Sequence, residues 1–377
     1  MQTFKCMATC ASGLEALVGK ELRQLNIECQ VENGRAIFEG TMAEIAKASL
    51  WLRTADRIKI ILKEFKALSF EQLFDEVYDI EWENYLPLDA HVPVTGKSIK
   101  SKLFSVRDCQ ALTKKAIVKK MTDCYHRYGR LPESGATYPV EIALLKDKAM
   151  VTLDTTGDSL FKRGYRLNKG GAPLKETLAA ALVLLTNWRD DRPFVDLTCG
   201  SGTICIEAAL IGLNYAPGLH RQFLCETWDF VDPACFEQAR QEAEAAIQWD
   251  NTLNIMGTDI DARMIEVAKE NAKAAHVAEY IQFKQMRLQD FTTNEENGVI
   301  VCNPPYGERL SDKESVEALY RDMGDIMRPL TSWSKYILTS DLSFETYYGE
   351  KATKRRKLYN GALRTDYFQY WGKKSHN

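Results

Sequence analysis

Several large protein classes are excluded by what this 377-residue sequence does not contain. It has no run of 18 apolar residues, so no stretch reads as a membrane-spanning helix. Met1-Gln-Thr-Phe-Lys offers neither the charged nor the apolar region of a signal peptide, and a cytoplasmic protein is expected. Ten cysteines are scattered without one CxxC pair, which reads as reduced, mostly buried thiols rather than a disulfide framework or a metal site. The five histidines are dispersed, and neither GxSxG nor HExxH occurs, so nothing argues for a serine nucleophile or a zinc hydrolase. Also missing is the third glycine of a dinucleotide fingerprint: three residues after Gly202 stands Cys205, which weakens a nicotinamide reading.

What is present is organised around Arg192 to Ala209, RPFVDLTCGSGTICIEAA. Phe194, Val195 and Leu197 read as a short buried strand with Asp196 near its end. Gly200 and Gly202 then allow a sharp turn into a helix and close approach of a nucleotide-like ligand. An ordinary strand-to-helix turn would use the same glycines. Further on, Asn254-Ile-Met-Gly-Thr-Asp-Ile-Asp reads as a second strand ending in Asp259, whose carboxylate can accept from both hydroxyls of a ribose. Asp261 suits the cap of the helix that follows. The next strand, 281 to 286, leads to Asp290, a candidate acceptor for an adenine amine, and to Phe291, which could pack on the ring.

The decisive stretch is Val299-Ile-Val-Cys-Asn-Pro-Pro-Tyr-Gly. An apolar strand runs into Asn303-Pro304-Pro305-Tyr306 at the same carboxyl edge as the glycine turn. An exocyclic amine conjugated to a base is a poor nucleophile because its lone pair is delocalised. If the Asn303 side-chain oxygen and the Pro304 carbonyl each accept one N–H, the lone pair turns toward an electrophilic methyl, while Tyr306 stacks on the base. Orientation of this kind contributes on the order of 7 to 11 kcal/mol. Cys302 alternates with its neighbours so as to point into the sheet, away from any nucleophilic role.

The net charge of −3 hides an asymmetry. Between residues 91 and 130, ten lysines and arginines face only Asp108 and Asp123. That is the electrostatic footprint of a polyanion, although a solvated helix face would look similar. The basic helix expected over Cys109 to Met121 could track phosphates, but no aromatic stripe accompanies it, so sequence readout is not expected there. Residues 2 to 65 alternate strands and helices, with Asn33-Gly34 as a hairpin turn. Residues 154 to 173 are dense in turn residues and basic at Arg163, Arg166 and Lys169, with Pro173 placed to open the next helix. About forty residues from Asn214 to Leu253 depart from the shortest α/β plan and could shape a substrate pocket or cap the sheet. A basic hairpin, turning at Asn360-Gly361, closes the chain.

Taken in order, DTTGDSLFKRGYR leading to APLKETLAAAL, DLTCGSGTICIEAA, GTDIDARMIEVAKENA and NPPYGERL resemble the class I S-adenosylmethionine-dependent RNA methyltransferases that carry an N-terminal THUMP domain. They are most similar to the large-subunit (23S) rRNA guanine-N2 group. The resemblance covers essentially the whole chain. It implies an α/β fold with a mostly parallel seven-stranded Rossmann-like sheet, preceded by an α+β ferredoxin-like and THUMP region. The boundaries expected are 1–65, 66–160 and 161–377. It implies S-adenosyl-L-methionine as cofactor, RNA as partner and no metal. Asp196, Gly200 and Gly202 would surround the donor's methionine part and Asp259 its ribose, Thr198, Ser201, Thr203, Ile260 and Asn303 would also contact the donor, and Asn303 to Tyr306 would hold the target amine. Arg287 stands where many such enzymes place an adenine-binding Asp, which leaves Asp290 as the candidate. Guanine N2 of rRNA is the expected target; adenine N6 or another RNA such as tRNA would present an NH2 to the same loop, and a non-catalytic RNA-binding factor is disfavoured by the intact loop.

Overall fold

The computed structural model describes residues 2–166, 174–306 and 313–373. Lys169, Pro173 and the Gly307–Leu310 end of the NPPYGERL motif lie outside them. The described chain forms two compact units: residues 1–10, 19–160 and 220–242 in the first, and 11–18, 161–219 and 243–377 in the second. Among the described residues no helix is long and apolar enough to cross a membrane.

The first unit is built on one seven-stranded sheet. Its strands are β1 (Phe4–Thr9), β2 (Cys29–Glu32), β3 (Arg35–Gly40), β4 (Arg57–Lys66), β5 (Val94–Ile99), β6 (Val140–Leu145) and β7 (Lys148–Asp154), in the order β2-β3-β1-β4-β7-β6-β5. Only β5 and β6 pair in parallel. Asn33-Gly34 makes the β2–β3 turn, with Gly34 at φ +76°, a conformation glycine adopts without steric cost. The basic helix runs from Val106 to Cys124, longer than its apolar spacing suggested. Its Cys109, Thr113, Ala116, Ile117 and Met121 are buried, and most of its charged residues stay in water.

Residues 220–242 join this unit although they interrupt the second in sequence. Aromatic packing explains it. The Trp228 ring stacks on Tyr138 with centroids 5.1 Å apart, its Nε1 donates to the Thr137 carbonyl at 2.8 Å, and Phe230 packs on Phe4 and Tyr85. Such pairs add about 0.5–1.5 kcal/mol each beyond the area they bury.

The second unit carries β8 (Phe194–Asp196), β9 (Ile255–Asp259), β10 (Ile281–Gln285), β11 (Val299–Cys302), β12 (Ser334–Thr339), β13 (Lys354–Asn360) and β14 (Leu363–Tyr370) in the order β10-β9-β8-β11-β12-β14-β13. The first five in that order are parallel, and β14 runs antiparallel to both β12 and β13. This is the class I methyltransferase sheet expected from the sequence. Alternation along the strands sends side chains to both faces. Val195, Ile300, Ile337 and Phe368 form one core with Val316, Tyr320, Met323 and Met327 of the helix Lys313–Met327. Tyr367 donates its hydroxyl to the Leu182 carbonyl of the Ala-rich helix Glu176–Leu184. The parallel strands all end at one edge, where strand order reverses between β8 and β11, the place at which open α/β sheets bind ligands.

Candidate active site

That edge opens into a cavity of about 790 Å³. From β8 come Leu197, Thr198 and Gly200; from β9, Asp259 and Ile260; from the end of β10, Met286, Leu288 and Gln289. Asn303, Pro304, Pro305 and Tyr306 follow β11 and face the same space. The two stretches singled out in the sequence thus share one cavity wall, although about a hundred residues separate them.

The glycine turn divides into two roles. Gly200 lies at φ +51° with nothing within 4 Å of where a Cβ would stand, leaving a cradle that only an added group would fill. Its N–H donates to Asp259 Oδ2 at 3.0 Å, while Asp259 Oδ1 accepts from the Asp261 N–H at 2.9 Å. The carboxylate ties the first two loops together and retains lone pairs for ribose hydroxyls. Ile260, 67% exposed on the cavity wall, is an apolar surface suited to a flat ligand. Gly202, at φ +81°, instead packs tightly, since a Cβ there would meet Phe283 Cζ at 2.8 Å and Ala268 Cβ at 2.9 Å.

Asp196, Ser201, Gly202, Thr203 and Asp290 are not on the cavity wall. Asp196 is 1% exposed; its Oδ1 accepts from the Thr198 N–H at 3.0 Å. Burial, reinforced by the nearby Asp259 charge and opposed by the Thr198 N–H, pushes its carboxyl up to about 8. It holds the turn from beneath. Thr203 Oγ1 accepts from Arg166 at 3.1 Å and lies 3.3 Å from Ser201 Oγ. Arg166 also donates to the Leu174 carbonyl.

The two adenine-side candidates do not line the cavity. Both Asp290 oxygens accept from Arg287, at 2.9 and 2.8 Å, because the single 3₁₀ turn Leu288–Asp290 carries the carboxylate outward. This pairing holds the Asp290 carboxyl below its ordinary value. Phe291 is buried against Trp333 in the core. Met286, Leu288 and Gln289 are what the cavity presents there.

In the Asn-Pro-Pro-Tyr loop, Tyr306 donates its hydroxyl to Asn303 Oδ1 at 2.5 Å. The oxygen expected to accept an amine is therefore engaged by the tyrosine expected to stack on the base. Pro304 is buried and Pro305 exposed, with the Pro305 carbonyl accepting from Tyr320 at 3.3 Å. Cys302 is fully buried, and burial pushes its thiol well above the ordinary value, which removes it as a nucleophile.

Two contributors to the cavity were not assigned to the site from sequence. Lys175 lines the cavity beside the loop. So do Asn360, Gly361 and Leu363. Because β14 runs antiparallel to β12, pairing Thr339 with Asp366, the β13–β14 turn falls at the carboxyl edge of the parallel strands. Away from the cavity wall, Glu207 is fully buried, pairs with Arg163 at 3.3 Å and accepts from the Tyr165 hydroxyl at 2.9 Å. A glutamate inside GTICIEAA, on a helix with no polar face, was the available signal.

A class I sheet with an open glycine turn, an acid on the second strand and an Asn-Pro-Pro-Tyr loop on one cavity defines an S-adenosylmethionine-dependent methyltransferase. The comparisons with known proteins agree. Residues 163–369 match the RMKL-like methyltransferase domain, 5–59 the RlmL ferredoxin-like domain, and 67–154 the THUMP domain. The chain belongs to the RMKL-like methyltransferase family. It is 54% identical over 374 residues to "Putative RNA methyltransferase YpsC" of Bacillus subtilis (strain 168), covering 99% of this chain and 97% of that one. Identity is 33% to "Ribosomal RNA large subunit methyltransferase K/L" of Syntrophotalea carbinolica, covering 96% of this chain and 52% of that protein, so the chain spans about half of that relative. Among solved structures, "SMU.472, a putative methyltransferase complexed with SAH" superposes with TM-score 0.95 at 53% identity, covering both chains fully. A "predicted N6-adenine-specific DNA methylase" from Listeria monocytogenes str. 4b F2365 superposes with TM-score 0.95 at 55% identity, over 99% and 97% of the two chains. S-adenosylmethionine is thus the cofactor. Thr198, Gly200, Asp259 and Ile260 line the cavity at the carboxyl edge of the sheet.

Proposed function

We propose that this chain transfers a methyl group to the exocyclic N2 of a guanine in 23S rRNA. The observation that carries the reading is the shared wall: Asn303 to Tyr306 and the Gly200–Asp259 pair face one cavity. The bound cofactor supplies an electrophilic methyl. The chain supplies orientation. Asn303 Oδ1 accepts one N–H of the amine once the Tyr306 hydroxyl releases it, and the Pro304 carbonyl accepts the other. That exchange of one hydrogen bond for another costs little, since each is worth only about 0.5–1.5 kcal/mol net. The released Tyr306 ring is then available to the base face.

The THUMP match and the cationic stretch from 97 to 130 favour RNA as substrate, and the K/L relative is named for the large-subunit rRNA. Adenine N6 is the second reading, because it offers the same NH2 and a Listeria structure carries that description. Nucleoside mass spectrometry of 23S rRNA from cells with and without the gene separates them. Loss of N2-methylguanosine is expected; an unchanged level together with loss of N6-methyladenosine would reject the guanine assignment.

A further inference from the structure

Phe104 stands 82% exposed in the first unit, and folding gains nothing from a ring so placed. Its loop is nonetheless held firmly. Leu103, just before it, is buried, and its carbonyl accepts from Ser98 Oγ at 2.7 Å. Lys102 N–H donates to Asp147 Oδ1 at 2.7 Å, the Asp147 N–H donates to Ser101 Oγ at 3.0 Å, and the Lys146 N–H donates to the Ile99 carbonyl at 3.0 Å. Ser105, just after it, caps the helix Val106–Cys124 by accepting from the Asp108 N–H. Two interlocked turns, with Lys100, Lys146 and Asp147 in the left-handed region, therefore present the ring on a braced support.

The surroundings are predominantly cationic. Lys100, Lys102 and Arg107 flank the ring in sequence, Lys146 lies on the turn that braces it, and Lys148 opens β7 directly after that turn. Among the described residues none of these five is within ion-pair distance of a carboxylate. The Asp147 carboxylate is tied to the backbone. An aromatic face amid unpaired cations complements a group with its own π-face and negative charge on both sides, which is a nucleotide.

We propose that Phe104 is a stacking platform for an unpaired nucleotide of the RNA substrate, with the surrounding cations taking the flanking phosphates. This rests on the RNA reading above. Duplex RNA offers no free base face, so the platform selects a loop, bulge or strand end.

The test is binding of the full chain to a fluorescent unstructured RNA of about 12 nucleotides across a salt series, with the parent, Phe104→Ala, Phe104→Trp and Phe104→Leu. Stacking on one base is worth about five- to 150-fold in affinity. Phe104→Ala should lose affinity in that range without changing the slope of log K against log salt, and Phe104→Trp should retain it. Replacing Lys100 and Lys102 by Ala should reduce the slope by roughly one unit per lost phosphate contact. Affinity for a fully paired duplex should not respond to Phe104→Ala. Full affinity in Phe104→Ala with an unchanged far-ultraviolet spectrum would overturn the platform, as would full affinity in Phe104→Leu, which would mean plain apolar contact. No RNA binding by the parent would instead overturn the RNA reading itself.

Discussion

Replacing Gly200 and Gly202 separately by Ala should dissect the glycine turn into a ligand half and a fold half. At Gly202 the added methyl carries two costs. A non-glycine residue at φ +81° is disfavoured by about 1–2 kcal/mol, and the methyl would stand 2.8–2.9 Å from Phe283 and Ala268, an overpacking cost of about 1–3 kcal/mol. The total, about 2–5 kcal/mol, corresponds to a fall of roughly 4–20 °C in the thermal midpoint of a unit this size. At Gly200 only the backbone term applies, and the methyl stands in the cavity. Gly200→Ala should therefore melt within roughly 2–8 °C of the parent. S-adenosylhomocysteine at about 100 times its Kd stabilises the parent by about 2.7 kcal/mol, and a tenfold loss of affinity would halve that. Thermal melts with and without S-adenosylhomocysteine measure both quantities. A Gly202→Ala protein as stable as the parent, or a Gly200→Ala protein with the full ligand-induced shift, would refute the division.

Asp196→Asn should change the pH dependence of stability. The native carboxyl, raised to about 8, holds a proton that an unfolded Asp gives up near 3.9, so the parent loses stability as pH rises from about 4 to about 8, by up to about 5 kcal/mol. The variant, which keeps an acceptor for the Thr198 N–H, should show a flatter profile in urea titrations between pH 5 and 8. A parent whose stability is flat across that window counts against the raised carboxyl. Glu207→Ala removes the buried carboxylate that Arg163 and the Tyr165 hydroxyl share, and a loss of about 3–5 kcal/mol is expected in urea unfolding; a loss under about 1 kcal/mol would show that the pair is not structural. Asn303→Ala should abolish methyl transfer while S-adenosylhomocysteine still binds by calorimetry; full activity would reject the amine-orienting role. Tyr306→Phe removes the hydroxyl that occupies Asn303 but keeps the ring, so kcat/KM should stay within about threefold of the parent, whereas Tyr306→Ala should lose roughly five- to 150-fold. Equal losses in both would mean that the hydroxyl, not the ring, matters.

Much of this site was legible because its parts are contiguous strings. A strand followed by Cys-Gly-Ser-Gly, a strand ending in Asp259, and a strand running into Asn-Pro-Pro-Tyr each declare a local geometry, and a parallel sheet brings strand ends to one edge. What stayed hidden depended on relations between distant segments. The Asn360–Leu363 turn reaches the cavity only because β14 inserts antiparallel between β12 and β13. Asp290 leaves the cavity through one turn of 3₁₀ helix that no pattern marks. The closure of Tyr306 on Asn303 is a choice of rotamers. The exposed Phe104 ring, just outside the first turn of the basic helix, carries no sequence signal because a lone Phe has no periodicity.

The return of residues 220–242 to the first unit bears on how the chain is made. Trp228 and Phe230 complete the aromatic cluster around Tyr138, Tyr85 and Phe4, yet they are translated more than sixty residues after Asp154 ends β7. At about 5–20 residues per second, the nascent first unit waits several seconds for them with Tyr138 uncovered. A ribosome stalled between residues 160 and 220 would therefore hold an unfinished first unit, and a gene cut at residue 160 would yield that same intermediate permanently.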